Sequence, residues 1–258
     1  MSARQRGAAA LSLTALLATA PAFSQELAFV ACPIVRDTRL VPCWLTEYRG
    51  ETYYLGIQTD VSAEFNPPSL GHRILVEGKA NPDKPRICGG IVIESPVVSI
   101  MNDRADDCRT QLPSDDRYQL PFEPPRPPGP SKGRLAYDYG PPPGPPKPPF
   151  TAKTFTVPYD FDGLVGFKTP RFLTPIMTYA EAIDAARIEI RGYRASVRLS
   201  DGTTLAERPV LARQRAEQIE QLLKGAGLSQ PKYEVHWIDA AEAGGPDKRR
   251  VTVTVSPR

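Results

Sequence analysis

The sequence has few of the side chains on which most catalytic and metal sites depend. Its only two histidines, His72 and His236, lie far from the cysteines, and no two cysteines have the CxxC spacing of zinc or redox sites. The sequence also lacks a nucleophile elbow and a glycine-rich phosphate loop. We therefore expect a protein that is not an enzyme and that binds no metal ion or other cofactor.

An excess of charge of one sign is also missing. The formal net charge is +3, and basic and acidic residues are interspersed, so the sequence has no basic patch of the kind that binds nucleic acid. After the first two dozen residues, no segment is apolar enough to cross a bilayer. We expect neither a nucleic-acid partner nor a membrane-spanning segment.

The N-terminus has the pattern of a secretory signal peptide. Arg4 and Arg6 precede an apolar run from Ala8 to Ala20, and the small-residue pattern Ala22-Phe23-Ser24 follows. This pattern predicts a cleavable signal over residues 1–24 and export to the periplasm, in association with the cell wall or outer membrane. A lipid anchor on Cys32 is an alternative, but Glu26 interrupts the apolar run and an anchor would leave three thiols.

The four cysteines are expected to form disulfides, because an exported protein reaches an oxidising compartment. Four cysteines allow three pairings, and the sequence does not decide among them. We favour the pairing in which each bond closes a short loop. It joins Cys32 with Cys43 and Cys88 with Cys108.

Proline and glycine dominate residues 121–150, which read "PFEPPRPPGPSKGRLAYDYGPPPGPPKPPF". Proline lacks a backbone N–H, so this segment is predicted to be an extended polyproline II linker. At ~3.1 Å per residue it spans at most on the order of 90 Å, enough to hold two modules well apart. A docking peptide for an SH3-like partner is an alternative. The predicted organisation is multidomain: a signal peptide (1–24), a first domain (25–120), the linker (121–150) and a second domain (151–258).

The first domain is predicted to be all β. Short segments rich in Val, Ile, Tyr and Leu alternate with turn sequences such as "NPPSLG" and "NPDKP". Five strands in so short a domain suggest a small closed barrel whose architecture resembles an OB-fold, with an immunoglobulin-like sandwich as the alternative. Gly89 and Gly90 are expected to form a bulge or barrel corner. The predicted strands are "ELAFVACPIV", "PCWLTEY", "TYYLGIQ", "HRILVEGKA" and "ICGGIVIESPVVSI".

The second domain changes to alternating strand and helix patterns. The order is βαβαββ, which predicts an α+β two-layer sandwich of helices on a sheet. The longer helix has an apolar arc formed by leucine, isoleucine and alanine, and Arg215 lies inside that arc. The predicted elements are "TFTVPYDF", "PIMTYAEAIDAAR", "RIEIRGY", "ERPVLARQRAEQIEQLLKGAGL", "YEVHWI" and "RRVTVTVSP".

Four of these segments, "YDFDGL", "IEIRGY", "LARQRAEQIEQLLKGAGL" and "KRRVTVTV", occur in the order typical of one family. Residues 151–258 thereby resemble the OmpA-like C-terminal domain, a periplasmic module that binds peptidoglycan. The resemblance implies that Arg215, in the position of the family's helix arginine, grips a carboxylate of diaminopimelate in the stem peptide. A guanidinium suits this role because its planar fork binds a carboxylate bidentately.

The chain departs from the family at the second ligand group, an aspartate that would receive the diaminopimelate ammonium. That position is Ala195, and Tyr193 and Arg194 precede it. Tyr193 and Arg194 are nonetheless candidate ligand residues. Asp201 is a candidate substitute for the aspartate, although its place in an Asp-Gly pair also fits a simple turn residue in a loop.

Arg215 also has an ordinary structural interpretation. In it, the guanidinium pairs inside the protein with Asp160, Asp162 or Glu189, or extends to water.

Two further predictions concern other side chains. Phe161 and Trp237, together with Tyr193, are candidates to line a saccharide groove but also fit core or rim packing. The basic run of residues 248–250 reads as a solvated cluster opening a strand.

Three functions follow in order of preference. The first is a non-enzymatic envelope protein that associates with peptidoglycan through Arg215. The second is a periplasmic scaffold that has lost wall binding with the aspartate and serves a protein partner. The third is a wall-modifying hydrolase that uses Asp160 and Asp162, two residues apart on one predicted strand, as a carboxylate pair.

Overall fold

The computed structural model describes residues 25–57, 65, 67–124, 144–164 and 169–258. These ranges are mostly β-sheet and contain two α-helices. The predicted signal peptide lies outside the described residues, as does most of the predicted linker, from residue 125 to residue 143.

The first part of the chain forms one seven-stranded sheet with the order β1-β5-β6-β4-β3-β2-β7. Every predicted strand is present, the first of them divided in two by Cys32, and β7 is an addition. The strands are β1 (Gln25–Ala31), β2 (Pro33–Arg36), β3 (Cys43–Tyr48), β4 (Glu51–Ile57), β5 (His72–Asn81), β6 (Ile91–Arg104) and β7 (Gln111–Leu112).

The prediction of a closed barrel is wrong for the described strands. The sheet curls strongly, since the ring of Phe29 on β1 stacks on Tyr48 of β3 with centroids 4.3 Å apart, although these strands are not neighbours in the sheet. However, β1 pairs only with β5, and β7 pairs only with β2. The two outer strands therefore remain edges, and the apolar side chains inside the curl supply the core without closure.

All four cysteines form disulfides, as predicted, but the favoured pairing is wrong. Cys32 is bonded to Cys108 and Cys43 to Cys88, with sequence separations of 76 and 45. The curl brings the end of β1 close to the segment that follows β6, and places the start of β3 beside the turn that precedes β6. Loop length alone contains no information about this strand order.

The second part contains the six predicted elements in the predicted order, with three short strands added. β9 pairs in parallel with β12 and antiparallel with β14, giving a mixed sheet of order β12-β9-β14-β8. The loop predicted around Asp201, "SVRLSDGTT", belongs to a hairpin of β10 and β11, which β13 joins in a second sheet. The elements are β8 (Lys153–Pro158), α1 (Thr169–Ala182), β9 (Arg187–Gly192), β10 (Ala195–Arg198), β11 (Thr204–Ala206), α2 (Leu211–Gly225), β12 (Lys232–Trp237), β13 (Glu242–Ala243) and β14 (Arg250–Ser256).

Both helices pack on the mixed sheet around a common apolar core. The predicted apolar arc of α2 is its buried face, and Arg215 lies within it. At Gly192 the last residue of β9 meets the first turn of α2 so closely that an added Cβ would lie 1.9 Å from the Ala212 carbonyl oxygen. This contact fixes the start of α2 against the end of β9.

The two parts pack directly against each other, although the linker is long enough to hold them well apart. Phe161 is buried with Leu75 and Val197, and its backbone N–H donates to Ser99 Oγ at 2.9 Å. A buried ion pair also crosses the interface, with Arg249 Nη2 2.6 Å from Glu77 Oε2. The extended conformation predicted for the linker lies mostly outside the described residues, and proline content contains no information about these complementary surfaces.

The phenol of Tyr233 on β12 provides a pH-dependent contribution to stability. Its hydroxyl donates to the Leu228 carbonyl oxygen at 2.6 Å, and burial, followed by the charge of Glu220, raises the pKa of Tyr233 to about 12. Because the folded pKa exceeds the ordinary value of 10.0, this contribution is fully present below pH 10 and is lost as the pH rises toward about 12. Subtracting the tyrosinate absorbance of Tyr233→Phe from that of the wild type isolates the titration of Tyr233, and we expect its midpoint near pH 12. A midpoint near 10 would contradict this assignment.

Candidate functional site

The guanidinium of Arg215 is completely buried and fully hydrogen-bonded inside the protein. An arginine side chain has five N–H donors, and all five have acceptors here. Two bonds go to the carboxylate of Glu207, from Nη2 at 2.6 Å and from Nη1 at 3.1 Å. The others go to the carbonyl oxygens of Gly163, Tyr193 and Asp160 at 2.9, 3.2 and 3.1 Å.

The carboxylate of Glu207 is equally well satisfied. Besides the two bonds from Arg215, Oε1 accepts from the backbone N–H of Asp162 at 2.9 Å and Oε2 from that of Ala195 at 2.7 Å. The ring of Tyr159 covers the pair, with its centroid 4.7 Å from the guanidinium carbon of Arg215. The arrangement is a bidentate, charge-assisted pair of the type that a guanidinium forms with a bound carboxylate.

Glu207 reaches this position because it lies outside the helix. The sequence pattern placed the helix start at Glu207, whereas α2 begins at Leu211 and Glu207 occupies the extended segment that follows β11. Pro209 was the available signal, since a residue before proline avoids helical geometry. Glu207 was therefore missed as the partner, and none of the three expected acidic side chains is the ion-pair partner of Arg215.

The predicted ligand residues near Arg215 are also held by internal contacts. Tyr193 accepts from Arg215 through its carbonyl oxygen, and the guanidinium of Arg250 lies 4.2 Å from its ring centroid. Arg194 donates to the carbonyl oxygens of Asp239 and Glu207. Ala195 is buried. The ligand roles of Arg215, Tyr193 and Arg194 therefore remain predictions about a site whose donors already have partners.

Asp201 has the structural role that its Asp-Gly context suggested. Its carboxylate accepts from the N–H and hydroxyl of Thr203 at 2.8 and 2.7 Å, which closes the turn between β10 and β11. These bonds, those to the Thr203 hydroxyl first, lower the pKa of Asp201. No contact between Asp201 and Arg215 appears among the hydrogen bonds and ion pairs of the described chain.

The other side chains considered in the sequence lie in different surroundings. Asp160 and Asp162 do not share a strand face, because β8 ends at Pro158 and Asp162 adopts a left-handed turn conformation with φ of 54°. The carboxylate of Asp162 instead contacts Arg208. Phe161 is buried against Leu75 and Val197, whereas Trp237 is 38% exposed.

The basic run before the last strand is not uniformly solvated. Lys248 and Arg250 form ion pairs with Asp247 and Glu242. Arg249, however, is fully buried and pairs with Glu77 across the interface of the two parts. The prediction of a solvated cluster is therefore wrong for Arg249, because the other part of the chain covers it.

One possible group of metal ligands occurs in the described ranges, formed by Cys32, Asp107 and Cys108. The two sulfurs are bonded to each other in a disulfide, so they are not thiolate ligands.

Among the described helices, none is long and apolar enough to cross a membrane. The disulfides are compatible with an exported protein.

Comparison with known proteins found no matching family model, no similar curated protein and no similar solved structure.

Proposed function

We propose that this chain is an exported, non-enzymatic envelope protein that acts as a scaffold for a protein partner. In this proposal residues 151–258 are an OmpA-like domain and residues 25–120 a disulfide-bonded module built on one open sheet, but the arginine of the wall-binding clamp has become structural. The observation that supports it is the bidentate bond from Arg215 to Glu207.

A stem-peptide carboxylate reaches Arg215 only if Glu207 leaves. That exchange breaks the bonds that Glu207 accepts from the buried N–H groups of Asp162 and Ala195. A buried donor without an acceptor costs roughly 1–3 kcal/mol, so the incoming carboxylate must replace every one of these bonds to compete. The ammonium of diaminopimelate gains no counter-charge at Ala195, so nothing offsets the exchange.

A second candidate function is association with the glycan of peptidoglycan, and it rests on Trp237. This ring is partly exposed at the end of β12, and the guanidinium of Arg213 lies 5.3 Å from its centroid. Exposed aromatic rings offer an apolar face with a polar edge, which suits a sugar ring. This route leaves the pair of Arg215 and Glu207 intact.

Co-sedimentation with diaminopimelate-type sacculi distinguishes the candidates. The mature chain from Gln25 is mixed with sacculi beside a wall-binding protein as positive control. The pellets are compared for wild type, for Trp237→Ala and for Arg171→Ala, which removes an exposed side chain of α1 and is the control for Trp237→Ala. The scaffold proposal expects all three to stay in the supernatant. Pelleting that free stem peptide competes away would overturn it, and pelleting lost only in Trp237→Ala would establish the glycan route instead.

A further inference from the structure

A cleft of about 720 Å³ lies where the two parts of the chain meet, and the site around Arg215 does not include it. One wall is formed by β1 and by central residues of β5 and β6. The other is formed by the hairpin of β10 and β11 together with the loop after β13. A volume of this size lies within the range of ligand-binding clefts, roughly 300–1,000 Å³.

The two walls are joined by two hydrogen bonds between Ala28 and Ser200, which both line the cleft. The backbone N–H of Ser200 donates to the carbonyl oxygen of Ala28 at 2.7 Å, and the N–H of Ala28 donates to Ser200 Oγ at 2.9 Å. Ala28 therefore directs its backbone groups away from β5, toward the second part.

Beyond that contact, no backbone hydrogen bond to another described residue is present on the cleft side of Glu26 or of Arg198. Because hydrogen-bonding direction alternates along a strand, Glu26 directs its N–H and C=O the same way as Ala28, into the cleft. On β10 the carbonyl of Ser196 accepts from Gly244 after β13, and Ser200 bonds to β1. Arg198 lies between them on the same side, and β13 ends before reaching it. The cleft is thus a gap between two strand edges.

The side chains at these two edges have opposite charges. Glu26 and Arg198 are exposed, both line the cleft, and neither forms an ion pair with another described residue. Lys79 is opposite Glu26 in the register of β1 and β5, but the two side chains form no ion pair. A ligand with a positive and a negative group matches this pair of walls.

We propose that this cleft binds an extended peptide segment of a protein partner by β-strand addition. The peptide pairs its backbone with the open edge of β1 at Glu26 and of β10 at Arg198. It places a basic side chain beside Glu26 and an acidic side chain beside Arg198.

The lining favours a peptide over a saccharide. No aromatic side chain is among the described residues that line the cleft, so it lacks the stacking surface that a sugar ring uses. The unpaired backbone groups instead match the repeat of another strand. The inference rests on the proposed scaffold function, for which it names the partner-binding surface.

Fluorescence anisotropy with the mature full-length chain tests the cleft. The probes are labelled eight-residue peptides of alternating valine and threonine that carry one lysine and one glutamate at different separations. Their fully N-methylated counterparts are the backbone control. The variants are Glu26→Lys, Arg198→Glu and the double reversal. Glu220→Lys and Lys232→Glu reverse the same charges outside the cleft and serve as matched controls.

We expect at least one unmethylated peptide to bind with a Kd below about 1 mM. Each single reversal should weaken that binding at least about tenfold, the cost of roughly 1.4 kcal/mol. The double reversal should bind most tightly the peptide in which the positions of the lysine and the glutamate are exchanged relative to the peptide that the wild type prefers. The proposal is overturned if no peptide binds, if N-methylation has no effect, or if the control reversals weaken binding equally. Binding of a chitin-type oligosaccharide alone, lost in the cleft variants, would overturn it in favour of a sugar site. The co-sedimentation test with sacculi does not depend on peptide binding to the cleft. The proposed scaffold function and the proposed peptide site can therefore be contradicted independently.

Discussion

Replacing Arg215 by alanine is expected to lower the free energy of unfolding by about 3–5 kcal/mol, the usual effect of removing one partner from a buried ion pair. The carboxylate of Glu207 would remain buried with only two backbone N–H donors, and three carbonyl oxygens would lose the donor that Arg215 provides. Glu207→Ala should cost a similar amount, because it leaves a guanidinium without its counter-charge. Urea unfolding followed by circular dichroism measures both.

Arg213→Ala is the matched control on the same helix. Arg213 pairs with Glu217 four residues later, and its side chain is 60% exposed, so its removal should change stability by less than about 0.5 kcal/mol. A loss in Arg215→Ala no larger than in Arg213→Ala would show that the buried pair contributes little. That result would favour the ligand role that the family resemblance implies for Arg215 over a structural role.

Removing Glu77 is expected to have an effect of the same size, about 3–5 kcal/mol, for a different reason. Its carboxylate is the only hydrogen-bond partner described for the side chain of Arg249, whose Nε and Nη1 atoms are buried without a partner. Glu77→Ala therefore leaves an entire guanidinium buried and unpaired at the interface. The change is measured by chemical unfolding of the full-length protein.

A double replacement separates the charge from the packing. Because Arg249 is only partly satisfied, Glu77→Met combined with Arg249→Met should restore most of the stability lost in Glu77→Ala, since two apolar side chains need no partner. Arg86→Ala breaks the exposed pair with Glu51 and should change stability by less than about 1 kcal/mol. A double variant less stable than Glu77→Ala would mean that this ion pair holds the parts together.

Local patterns predicted the elements of the fold well and their assembly poorly. The 3.6-residue period placed Arg215 correctly on the buried face of α2, and alternation located the strands from β1 to β6. The open sheet and its disulfide pairing depend on strand order, which residues distant in sequence decide. Cys32 and Cys108, for example, share no local pattern.

The candidate site shows the same division. Periodicity identified an arginine in an apolar face and thus a buried charge that needed a partner. It could not select Glu207 over Asp160, Asp162 or Glu189, because the choice depends on how the chain turns between β11 and α2. The role of Arg249 was hidden likewise, since its partner lies 172 residues away.

The shared interface also determines what happens when the backbone is cut between residues 125 and 143. Both disulfides lie within the first part, so no covalent bond except the backbone joins it to the second part. Held by the apolar contacts of Leu75, Phe161 and Val197, the two fragments should stay together as a complementing pair. Either fragment alone would expose that apolar surface and a charge that has lost its counter-ion. The unit that folds is therefore the whole chain and not either half.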